Sequence, residues 1–144
     1  MSDETSREFV DSNILVYSSD SSAGVKKDVA DQLLTRLWDQ RSGSLSVQVL
    51  QEFYVAVTTK VPTPMAMEAA IDRIRDWSLW HVFSPKPVDV IAAIRLADQS
   101  SLSFWDAMIV HAASESGCAI LWTEDLSDSQ TIRGVQIRNP FDDR

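Results

Sequence analysis

Short β-type runs alternate with helix-length amphipathic stretches along this chain, and that alternation leaves few folds open. The β-type runs cover residues 9–10, 45–47, 80–83, 118–122 and 135–137. Between them, apolar residues recur at helical spacing: Val29, Leu33, Leu34, Leu37 and Trp38 within 26–39, then Val49, Phe53 and Val57 within 48–59. Gly43 reads as the stop of the first of these helices. Thr63 and Pro64 form a cap and first-turn pair that predicts a helix over 65–77, with Met67, Ile71 and Ile74 as its apolar stripe. Two more helices are predicted over 88–99 and from Ser103 to Glu115, the second stopped by Gly117. Residues 18–24 and 123–129 read as polar loops. Strands alternating with helices predict an α/β fold, a mostly parallel sheet covered on both faces. No repeat, low-complexity tract or linker divides the 144 residues, so one domain over 1–144 is expected, with 1–7 as a loose terminus.

Charge narrows the function. A net charge of −8 argues against a broad basic face for duplex DNA. It leaves room for a nucleic-acid substrate where metal ions supply positive charge locally. Cys118 is the only cysteine, which excludes an internal disulfide and a cysteine-based zinc site. No apolar run approaches the roughly 18 residues of a membrane span, and the polar, acidic start does not read as a signal peptide. A cytoplasmic location and no membrane contact are expected.

Four carboxylates stand in unexpected company. Asp11 interrupts the apolar run over 9–17 just after a strand, where an ionised group needs compensating donors or a cation. Its simpler role is to cap the next helix. Glu52 lies between Leu50 and Phe53 in the helix after the second strand, although most helical Glu residues face water. Asp106 follows Ser103 at capping-box spacing, in apolar surroundings. Asp125 closes the run Leu121-Trp122-Thr123-Glu124-Asp125, again just past a strand. In a parallel α/β sheet, strand ends and the starts of succeeding helices share one edge, where ligands bind. Four acids meeting there repel one another unless divalent cations join them. Hard oxygen donors without clustered His or Cys point to Mg²⁺ or Mn²⁺. His81 and His111 are isolated and read as structural.

These residues carry a resemblance. The chain resembles the PIN-domain ribonucleases, and among them the VapC-like toxins, in five places. They are Asp11-Ser12-Asn13, Glu52 in Leu50-Gln51-Glu52-Phe53, Asp106 in Phe104-Trp105-Asp106-Ala107-Met108-Ile109, Thr123-Glu124-Asp125, and the tail over 134–141. It departs at Ser129, where related sequences often carry Gly. The resemblance implies a three-layer α/β/α PIN-like domain with a central, mostly parallel sheet. It also implies an RNA-cleaving site in which Asp11, Glu52, Asp106 and Asp125 hold one or two Mg²⁺ or Mn²⁺ ions. Thr123 would hold a water or a carboxylate, Asn13 would orient Asp11, and Glu124 and Asp128 read as solvated loop acids or auxiliaries to the site. Single-stranded or loop RNA suits such an edge better than a rigid duplex.

Two rival readings remain at this point. A phospho-accepting receiver is also α/β and carries Lys-Pro after a strand, as Lys86-Pro87 does here. Asp11, however, has no adjacent acid, and no strand-terminal Asp occurs mid-chain. The other rival is a PIN-fold interaction module whose acids are remnants, against which the full set of four argues. The resemblance further implies an inhibitory antitoxin protein. Trp77, Trp80 and the Met65/Met67 segment offer apolar surface for self-association, a homodimer included.

Overall fold

Elementary sequence signals set where each element starts and stops. In a computed structural model, residues 6–142 are described. The elements run β1 (Glu8–Val10), α1 (Ser12–Ser19), α2 (Val25–Gln40), β2 (Gly43–Ser46), α3 (Val47–Thr59) and α4 (Met67–Trp77). They continue with β3 (His81–Phe83), α5 (Pro87–Ser100), α6 (Phe104–Glu115), β4 (Ile120–Trp122), β5 (Thr131–Ile132) and β6 (Val135–Arg138). The six strands form one sheet in the order β3-β2-β1-β4-β6-β5. Every pairing is parallel except β5 with β6. The expected α/β fold with a mostly parallel central sheet is what forms.

β1 is the middle of the structure. Phe9 lies in register with Ser44 of β2 and Leu121 of β4. Phe9 and Val10 are fully buried, as in a strand covered on both faces. Glu8 shares that burial because Arg36 donates to both its oxygens at 3.0 and 2.8 Å and Trp122 Nε1 adds a bond of 2.8 Å. Burial pushes its carboxyl up, but the bonds from Arg36 and Trp122 outweigh that and hold it below the ordinary value.

α3 carries the helix that most concerns function. The Ser46 hydroxyl caps it by accepting from the Val49 N–H, and Val49, Phe53 and Val57 are fully buried as the spacing predicted. Burying each such side chain contributes about 1.5–3 kcal/mol. Phe53 meets Trp77 of α4 edge to face, ring centroids 4.9 Å apart.

Several boundaries differ from expectation. α4 begins at Met67, with Ala66 as a cap that offers no side-chain bond. Thr63 and Pro64 lie outside it, because the Met65 N–H bonds back to the Val57 carbonyl at 2.9 Å and turns that segment onto α3. The buried face of α4 is Ala70 and Trp77, while Met67 is exposed. With Trp77 taken into the core, the exposed apolar residues left nearby for a second copy are Met67 and Leu79. Gly43 does not stop α2. Arg41 does, in the left-handed conformation at φ 55°, and Gly43 is the first residue of β2. The 12–19 segment is a helix, and 131–132 a short strand, neither of which the spacing marked. Of the expected loose terminus, residues 1–5 lie outside those described, whereas the Arg7 carbonyl already accepts from the Ala119 N–H.

Candidate active site

The carboxyl edge of the sheet collects the acids. Asp11 follows β1 directly, and Thr123 to Asp125 follow β4, the neighbour of β1. Glu52 sits on α3, which starts at the end of β2, and Asp106 in the first turn of α6. All four, Asp11, Glu52, Asp106 and Asp125, line one recess of about 290 Å³.

Local bonding explains how each is held. Asp11 is only 5% exposed and caps α1, its Oδ1 accepting from the Ser12 N–H at 2.7 Å and its Oδ2 from the Thr123 hydroxyl at 2.8 Å. It is therefore both a helix cap and a lining residue of the recess. Burial pushes its carboxyl up to about 7, partly offset by the Thr123 and Ser12 bonds and reinforced by the negative charges of Glu52 and Asp125. Thr123 in turn accepts from the Asp125 N–H at 3.1 Å. Asn13 donates to Thr123 Oγ1 at 3.4 Å and to Asp125 Oδ2 at 3.0 Å. Asn13 thus reaches Asp11 only through the Thr123 hydroxyl, rather than orienting it directly.

Glu52 is held by residues the sequence reading had not assigned to the site. Its two oxygens accept from the Ser12 hydroxyl at 3.1 Å and from the Gln48 amide at 3.0 Å. Gln48 also donates to the Trp105 carbonyl at 3.2 Å, tying α3 to the start of α6. The signal was available, because Gln48, Glu52, Ala56 and Lys60 recur every four residues and all four line the recess. Asp106 makes half of a capping box. The Ser103 hydroxyl accepts from its N–H at 3.1 Å, while its carboxylate takes no hydrogen bond among the described residues.

Glu124 is not a solvated loop acid. The Tyr17 hydroxyl donates to it at 2.6 Å, and Lys26 forms an ion pair with it. Asp128 accepts from the Asn139 N–H at 2.8 Å and does not line the recess. His111 bonds Asp89 at 2.8 Å across the α5–α6 contact, and His81 bonds Ser116 at 3.2 Å; neither enters the recess. Lys86 and Pro87 cap and open α5, away from the acids.

The donor set suits a hard divalent cation: carboxylate oxygens with hydroxyl and amide neighbours, and no thiol or imidazole. As placed, Asp11, Glu52 and Asp125 take neutral donors instead, and no three Asp, Glu, His or Cys side chains among the described residues converge on one point. The chemistry of the site therefore fits such an ion, with the side chains still to be drawn together around it.

The PIN domain family model matches residues 9–128. The chain belongs to the PIN-domain family. Solved structures share the fold of this PIN domain at low identity. A toxin–antitoxin complex from Klebsiella pneumoniae is 19% identical, with 93% of this chain and 98% of that chain covered at a TM-score of 0.68. VapBC2 from Rickettsia felis, bound to a DNA fragment from its promoter, is 18% identical over 92% and 97% at 0.63. VapC20 from Mycobacterium tuberculosis, described as a sarcin–ricin loop cleaving toxin, is 19% identical over 82% and 91% at 0.60. No curated protein sequence matches significantly. Among the described residues of this PIN domain, no helix is long and apolar enough to cross a membrane.

Proposed function

We propose that this chain is a metal-dependent endoribonuclease, the toxin of a VapC-like toxin–antitoxin pair, built as a single PIN-like domain and acting in the cytoplasm. The observation that carries the reading is the meeting of Asp11, Glu52, Asp106 and Asp125 in one recess at the carboxyl edge of a parallel sheet. Asp11, Asp106, Asp125 and Glu52 would hold Mg²⁺ or Mn²⁺. Such an ion supplies a lowered water pKa and offsets charge on the phosphodiester.

The chain's own residues do the rest. Thr123 donates to one oxygen of Asp11 and so fixes how that carboxylate is held at the recess. Asn13 and Thr123 together fix the loop that carries Asp125. Ser12 and Gln48 hold Glu52 in place from both sides. The recess lies open at an edge, which admits a single strand or loop more readily than a stiff duplex.

An inhibitory protein partner belongs to this reading, supported by the toxin–antitoxin assemblies among proteins of the same fold. Four acids invite an arginine from such a partner, which would pair with one or two of them and block substrate. Val47, Tyr54 and Val55 leave an apolar strip exposed on α3 that could seat an amphipathic helix of that partner.

The deciding experiment incubates the chain with single-stranded RNA, with Mn²⁺ and with excess EDTA, and maps the cleaved ends. Cleavage is expected only with the metal. Asp11→Asn and Asp106→Asn should fold and lose cleavage by several orders of magnitude. Full activity in EDTA, or in either variant, sinks the reading. Adding the co-encoded neighbouring protein should suppress cleavage.

A further inference from the structure

The recess is not a point but a trough. Gln48, Glu52, Ala56 and Lys60 form one i, i+4 ridge of α3 along it, and a ridge of that length spans roughly 18 Å at 1.5 Å per residue. Trp105 lies at the Gln48 end, fixed by the bond from Gln48 to its carbonyl. Lys60 lies at the other end, two turns beyond Glu52, and pairs with no carboxylate among the described residues. Glu52 stands between these two ends on α3, and Asp11, Asp106 and Asp125 line the same recess.

Trp105 is unusual among the tryptophans. Trp77 is buried, Trp122 is bonded to Glu8, and Trp38 and Trp80 pack on each other. Trp105 is 63% exposed, and its indole N–H has no partner among the described residues. Its ring is nonetheless set, edge to face against Phe104 with centroids 4.9 Å apart. Phe104 is itself packed on the core. A fixed, exposed indole beside the recess carboxylate Asp106 is a preorganised surface for a flat ring.

Charge explains why such a surface is needed. The chain carries −8 overall, and the trough sets one lysine against four acids. Counterion release from one lysine gives a polyanion little affinity, whereas stacking on an aromatic ring is indifferent to protein charge. On the ribonuclease reading above, we propose that a nucleobase flanking the scissile phosphate stacks on Trp105, while Lys60 holds a phosphate at the far end of the α3 ridge, beyond Glu52. The RNA strand then runs along the α3 ridge, with its affinity drawn mainly from stacking.

The test measures binding and turnover separately. In EDTA, a short single-stranded RNA titrated into the wild-type chain should quench tryptophan fluorescence, and inorganic polyphosphate should not. Trp105→Ala should abolish the quench and weaken binding about tenfold or more. With Mn²⁺ the same variant should raise KM by that factor while kcat stays within severalfold. Trp105→Phe should lose the quench but keep most of the affinity, which assigns the signal to this ring. Lys60→Ala should reduce the slope of log affinity against log salt by about 0.7.

The stacking proposal fails if Trp105→Ala binds RNA like the wild type, if the loss falls on kcat alone, or if polyphosphate quenches equally. It fails also if the variant weakens only the complex with an inhibitory protein. Wild-type chain that binds RNA in EDTA but never cuts it overturns the nuclease reading and leaves the stacking result standing. Absence of binding by the wild type in EDTA overturns the stacking proposal, and absence of both binding and cleavage with Mn²⁺ overturns the nuclease reading.

Discussion

Ser129 holds its backbone at φ 69°, a region where an L side chain crowds its own carbonyl. It does so because its N–H bonds the Ile137 carbonyl at 2.8 Å, closing the loop that leads from Asp125 back to the sheet. Relief of that crowding by glycine is worth roughly 1–2 kcal/mol. The freer unfolded chain takes back about 0.4–1 kcal/mol. Ser129→Gly is therefore expected to raise the melting temperature by a few degrees, read by calorimetry; a fall would show the loop is not strained there. The resemblance singled out this position, and the backbone gives the reason. The carboxylates were legible one by one because Asp11, Glu52 and Asp106 stand in apolar stretches and Asp125 lies just past a strand, although Asp11 and Asp106 were open to reading as caps. Glu124 was not legible. Its partners Tyr17 and Lys26 stand 107 and 98 positions away, and no local pattern encodes a contact of that range.

At the scale of elements, Gly43 shows how a residue read as punctuation can be packing. A Cβ there would lie 2.4 Å from the Trp80 ring, so the strand can pass only because the side chain is missing. Trp80 is pinned in turn by Trp38 on α2, ring centroids 6.2 Å apart. Gly43→Ala is expected to push Trp80 outward and destabilise the fold by about 1–3 kcal/mol, visible as a lower denaturation midpoint with an unchanged slope. A neutral result would mean the ring swings away freely. α2 and α3 were readable because each carries a periodic apolar face, and α6 because the Ser103 cap and the Gly117 stop mark its ends. α1 escaped notice for a physical reason. Ile14 to Tyr17 continue the apolar run of β1, with two β-branched residues among them, and Asp11 turns that run into a helix by capping it. The two residues of β5 are too few to carry a period; they pair because the turn at Arg133 and Gly134 folds them against β6.

For the molecule as a whole, the question is what four acids at one edge do to stability. Asp11 has its carboxyl pushed from an ordinary 3.8 up to about 7 by burial and by the charges of Glu52 and Asp125. A carboxyl raised in the folded state binds its proton more tightly there than in the unfolded chain. Its contribution is fully present below about pH 3.8 and is lost as pH rises through about 7. Without metal, stability from this group should accordingly decline from mildly acidic to mildly alkaline solution. On the proposed function, a divalent cation would compete with that proton for the same oxygens and would stabilise only the state that assembles the site. Millimolar Mn²⁺ is therefore expected to raise the melting temperature clearly at about pH 8 and much less at about pH 5.5. Asp11→Asn removes the proton and the charged donor together, so it should flatten both dependences: less pH sensitivity without metal, and less gain with it. Thermal unfolding of both chains at the two pH values, with Mn²⁺ or EDTA, reads all of these outcomes. An equal metal gain at both pH values would place the ion away from Asp11, and no gain at either would count against a cation held by the four carboxylates that line the recess.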